Sequence, residues 1–150
     1  MKAKLTMAAL AIACASAAGC SAAGGGSSTT QQAAAANPCQ SLSAWKSGGG
    51  TSGMNSIASD LTKVQSAGSA ENLSEVVSAG QALDNDAQSA ALDVPPIDGL
   101  DFTNAMADFQ TAGTDLAMGT QSGITASETP LTSGSKEFED FAASVKSTCG

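Results

Sequence analysis

From residue 37 onward the apolar positions recur at intervals of three and four far more often than two, the spacing of a helix face and not of a strand. Asn37 and Pro38 predict a short first helix, with asparagine as its cap and proline at its first position. Cys39, Leu42 and Trp45 share one side of it, and Gly48-Gly49-Gly50 is expected to stop it. A second helix is predicted from Thr51 or Ser52, with the stripe Met54, Ile57, Ala58, Leu61 and Val64, ending before Gly68. Ser69 is expected to cap a third, whose stripe runs through Leu73, Val76, Val77, Leu83, Ala87, Ala90 and Ala91 until Pro95-Pro96 terminates it. Asp98 or Asp101 opens a fourth, in which Phe102, Met106, Phe109, Gly113 and Leu116 follow one another at helical spacing. Residues 120–134, rich in Gly, Ser and Thr with Pro130 among them, read as a loop. Ser135 then caps a last helix that turns Phe138, Phe141, Ala142, Val145 and Cys149 inward. The fold expected is all-α, a four-helix up-and-down bundle with a short extra N-terminal helix.

The first 37 residues follow a different pattern. Lys2 and Lys4 precede an apolar, alanine-rich run over residues 5–18, the charged region and short apolar core of an export signal. It is too short for a comfortable transmembrane span. The run closes on Ala17-Ala18-Gly19-Cys20, small residues ahead of a thiol. Residues 21–37, with GGGSSTTQQAAAA, form a low-complexity tether with no means of packing a core.

On residues 1–20 the sequence resembles a bacterial lipoprotein. The resemblance implies cleavage between Gly19 and Cys20 and a diacylglyceryl thioether on Cys20; Ala17 stands where that family prefers leucine. Ala11-Ile12-Ala13-Cys14 is a second, shorter match, and an ordinary secretory cut after Ala15-Ser16-Ala17 is the alternative that leaves Cys20 a thiol. The chain as a whole is similar to the small helical lipoproteins of high-GC Gram-positive bacteria, rich in alanine and glycine with a domain bracketed by two cysteines. That likeness implies location and architecture more than mechanism. The expected division is a signal peptide over residues 1–19, a lipidated cysteine and tether over 20–37, and a helical domain over 38–150. A random-coil tether of this length holds the domain on the order of 20 to 25 Å from the bilayer.

The cysteines then sort themselves. Cys14 leaves with the signal and Cys20 takes the lipid, so Cys39 and Cys149 remain in the domain, where export favours a disulfide between them. No CxxC spacing supports a redox role for the pair.

Composition narrows the chemistry. Histidine, tyrosine and arginine are absent, which removes imidazole bases, His metal ligands, His-dependent nucleophiles and bidentate phosphate recognition. Four lysines (Lys46, Lys63, Lys136, Lys146) against fourteen acids give the domain a formal charge of −10, which repels nucleic acids and anionic lipid. Asp84-Asn85-Asp86-Ala87-Gln88 begins like a calcium loop, but Ser89 stands where the turn needs glycine and Pro95 where a bidentate glutamate belongs. Asp93, Asp98 and Asp101 read as loop and capping residues, and Met54, Met106 and Met118 as core. No GxSxG motif marks a nucleophile.

No catalytic residue, metal site or cofactor is therefore expected. The reading is a noncatalytic lipoprotein on the extracytoplasmic face of the cell membrane, held there by Cys20 and binding an envelope protein, a wall polymer or a small ligand. The alternative is a carrier of an apolar ligand, haem or lipid, lined by Trp45, Met106, Phe109 and Phe138. A carboxylate-only enzyme acting on envelope glycans is a third reading, which needs two carboxyl groups at a defined separation across a cleft.

Overall fold

The structure, a computed structural model, describes residues 37–150, so the expected signal peptide, Cys20 and the expected tether up to residue 36 lie outside the described residues. Among the described residues the regular structure is entirely helical. The helices are α1 (Pro38–Trp45), α2 (Thr51–Ser69), α3 (Leu73–Ala91), α4 (Gly99–Ala117) and α5 (Gln121–Cys149).

Asn37 caps α1 as expected, its side chain accepting from the Cys39 amide at 3.0 Å with Pro38 in the first turn. The glycine run does not stop the chain's helical course. A π-helical turn over Lys46–Gly50 joins α1 to α2, and the kink is made by Gly49 at φ 137°, a conformation that side-chain-bearing residues rarely adopt.

Ser69 does not cap α3. It is the last residue of α2, where its hydroxyl donates to the Gln65 carbonyl at 2.8 Å. The cap is Asn72, whose Oδ1 accepts from the Glu75 amide at 3.3 Å, after a tight turn in which Glu71 takes a left-handed φ of 54°. The next helix starts after Asp98, which is itself left-handed at φ 50° and makes no side-chain cap.

The largest correction concerns residues 120–134, which are helix. Thr120 caps α5, accepting from the Gly123 amide at 3.1 Å, and the helix runs 29 residues with Pro130 inside it. Ser135 is an interior residue of α5 and not a cap. Its buried residues Gly123, Ser127, Leu131, Gly134, Phe138 and Phe141 recur every three or four positions. The stripe is continuous, but Gly123, Ser127 and Gly134 on it do not register as apolar positions.

Each long helix packs antiparallel on the next. Gly53 faces Ala90 across α2 and α3; Gly80 meets Leu116, and Gly113 meets Asp84, across α3 and α4; Gly134 meets Asp108 and Phe109 across α4 and α5. The core runs along these contacts through Ile57, Val64, Leu83, Met106, Phe109, Leu116 and Leu131. At the end where α4 begins and α5 finishes, Phe102 lies at the centre of an aromatic cluster. Its ring centroid is 5.3 Å from Phe141, 5.7 Å from Trp45 and 6.4 Å from Phe138, and Phe138 continues to Phe109 at 6.4 Å. Cys39 and Cys149 form the expected disulfide, with Cα atoms 5.4 Å apart across a sequence separation of 110. It clasps α1 to the end of α5 beside the point where the N-terminal segment joins the domain.

Candidate functional site

A groove of about 300 Å³ opens where α2 begins and α3 ends. Trp45 and Phe102 form its apolar floor, and Gly49, Gly50 and Gly53 leave it open on the α2 side. Gly50 is pressed so closely on the indole that no larger residue fits there without moving the ring. The indole N–H donates to the Asp93 carbonyl oxygen at 2.8 Å, tying Trp45 to the chain leaving α3. Ser52, Ser89 and Asp93 stand on the exposed rim.

The polar wall is Ser56 from α2 and Asp86 from α3. Ser56 hydrogen-bonds the Asp86 carboxyl, and behind Asp86 lies the carboxyl of Asp60, which is only 2% exposed. Lys63, one turn along α2, donates to Asp60 Oδ1 at 2.6 Å. Asp60 Oδ2 is buried without a fixed donor. Asp86 lies within hydrogen-bonding reach of Asp60. The Asp86 pKa is accordingly raised above the ordinary carboxylate value, first by burial and then by its hydrogen bond to Asp60 and the charge there. The Ser56 donor and the Lys63 charge oppose the rise.

Of the four residues expected to line an apolar ligand, only Trp45 opens on this groove. Met106 and Phe109 are fully enclosed and Phe138 is 4% exposed, all three filling the core between α4 and its neighbours. Phe102, Asp60 and Asp86 are the residues that reading did not select. One signal for Asp60 is present in the sequence: it falls between Ile57 and Val64 at intervals of three and four, an acid standing on the buried stripe of α2.

Asp84, Asn85 and Asp86 lie in successive positions of α3, so their side chains fan around the helix and do not wrap an ion. Among the described residues no group of three or more His, Cys, Asp or Glu is gathered to hold a metal. A second acidic cluster lies along α4 and α5, where the Glu137 pKa is raised by burial and by the charges of Asp108, Asp101 and Asp140, with Lys136 opposing. Lys136 is paired with Asp140 one turn on.

Comparison of the chain with protein families, with curated proteins and with solved structures finds no match. The functional reading therefore rests on the groove and on the residues that build it.

Proposed function

We propose that this chain is a lipid-anchored module of the extracytoplasmic face of a bacterial cell membrane, an up-and-down four-helix domain that binds a small ligand without converting it. The observation that carries the binding reading is the groove between α2 and α3, with an apolar floor at Trp45 and Phe102 and a polar wall at Ser56 and Asp86. Binding sites combine these parts: an apolar concavity with few polar groups that orient the ligand.

The noncatalytic reading is supported by the pairing of Asp60 and Asp86. Glycosidase carboxyl pairs stand about 5 Å or more apart with the scissile bond between them. Here the two carboxyls are in mutual hydrogen-bonding reach, and Lys63 occupies one oxygen of Asp60. The anchor rests on the lipobox Ala17-Ala18-Gly19-Cys20 and the tether behind it. Two acyl chains hold a protein on a bilayer where one does not. Among the described residues no helix is long and apolar enough to cross a membrane.

The intact mass of the protein from native membranes, with mapping of its N-terminal peptide, tests the anchor. The expected result is a mature chain beginning at Cys20 and carrying a diacylglyceryl group, with Cys20→Ser releasing the protein from the membrane fraction. An unlipidated wild-type chain in the medium would sink it. Ligand binding is read separately, from the fluorescence of Trp45, which is the chain's one tryptophan in a sequence without tyrosine.

A further inference from the structure

Resting on that reading of the groove, we propose that its ligand is a small organic cation, a protonated alkylamine whose ammonium sits on Asp86 and whose stem lies over Trp45 and Phe102.

The charges around the groove are one-sided. Asp86 forms the wall and Asp93 the rim, while no lysine lines it. Facing Asp86 from α2 are Asp60 and Lys63, and Lys63 is committed to Asp60 Oδ1 at 2.6 Å. From α4 the groove receives only the uncharged ring of Phe102. An anionic ligand would therefore meet carboxylates with no available partner. A neutral apolar ligand would cover Asp86 without satisfying it, and burying an unpaired carboxylate is costly.

Asp60 supplies the second, independent observation. It is 98% enclosed, judged by its 2% exposure, and its Oδ2 has no fixed donor. Asp86 stands in front of it, on the wall that a ligand reaches. An ammonium brings three N–H donors on a positive charge and can donate to the Asp86 carboxyl. Ser56 and Ser89 also bring hydroxyl groups to the lining of the groove.

The floor fits the rest of the ligand. Trp45 is 8% exposed, too little to offer a flat stacking face to a sugar ring, but enough to contact a narrow methylene stem. The absence of side chains at Gly49 and Gly53 sets the width, and a Cβ added at Gly53 would stand in ordinary contact with the Ala90 Cβ at 3.7 Å.

Titration of the full-length chain with n-butylammonium, n-butanol, butyrate and methyl glucoside, followed by Trp45 fluorescence, tests the proposal. Butylammonium is expected to give a saturable change that weakens about tenfold or more in Asp86→Asn, the loss expected for a hydrogen bond to a charged group. Gly53→Met, which fills the groove and leaves Asp86 in place, is expected to abolish it. Circular dichroism of both variants establishes that the helices persist. A saturable response to butanol, butyrate or the glucoside without one to butylammonium overturns the cation and leaves the groove a binding site. No saturable response to any of the four overturns both readings. Equal butylammonium affinity in wild type and Asp86→Asn overturns the role of Asp86.

Discussion

Gly80 and Gly113 meet backbone to backbone: a methyl group added at Gly113 would lie 2.7 Å from the Gly80 carbonyl oxygen. Helices α3 and α4 owe their close approach to this missing pair of side chains. Gly113→Ala is expected to destabilise the domain by about 1 to 3 kcal/mol through overpacking, although alanine is the better helix former. Gly48→Ala, where nothing lies within 4 Å, is expected to leave stability unchanged or raise it by up to about 1 kcal/mol. Urea denaturation of the two variants checks the contrast.

Pro130 lies inside α5 and withholds an amide from the carbonyl of Ala126, which is on an exposed position of the helix. Replacing it with alanine restores that hydrogen bond. Pro130→Ala is expected to stabilise the domain by up to about 3 kcal/mol, seen as a higher denaturation midpoint.

Phe102 joins Trp45, Phe138 and Phe141 in one cluster. Phe102→Ala is expected to cost about 3 to 5 kcal/mol and to shift Trp45 emission to the red as water reaches the indole. An unshifted spectrum would mean that the cavity closes over the ring.

The Cys39–Cys149 bond closes nearly the whole domain into one loop. Cys39→Ser with Cys149→Ser is expected to lower stability by about 4 to 5 kcal/mol in the chain-entropy account. The oxidised and reduced wild type compared in the same denaturant series gives the same difference.

Asp86 and Glu137 both have raised pKa values, each with burial as the first cause. The folded state therefore holds their protons more tightly than the unfolded chain does. Stability from these groups is fully present below the ordinary carboxylate range and is lost as pH rises through their elevated values. Asp86→Asn is expected to flatten that part of the pH profile and to raise the melting temperature at neutral pH. Melting curves taken from pH 4 to pH 8 check it, and a steeper fall with rising pH in the variant would contradict the assignment.

Several of these features are legible before any fold is known. The N-cap of α1, the stripe Phe102, Met106, Phe109, Gly113 and Leu116 on α4, and the pairing of the two remaining cysteines follow from spacing and residue type. Residues 120–134 are not legible in that way, because glycine, serine and proline disfavour a helix locally. Tertiary packing reverses that preference: Gly123 and Gly134 let α5 lie directly against α4, and burial along the whole length outweighs the local cost. The third helix shows a smaller version. Both Ser69 and Asn72 are good caps, and the choice depends on where the left-handed turn at Glu71 falls.

The sequence by itself determines that this is a helical protein, since the period of its apolar residues is a property of local geometry that survives without knowledge of neighbours. It also determines the cysteine staple and the acidic balance. The tertiary structure alone decides that Asp60 and Asp86, 26 positions apart on different helices, come within reach of one another beside Trp45. Their spacing carries no period that a sequence pattern could reveal. The interaction exists because α2 and α3 pack antiparallel, bringing the acid on the buried stripe of α2 opposite a half-buried acid on α3.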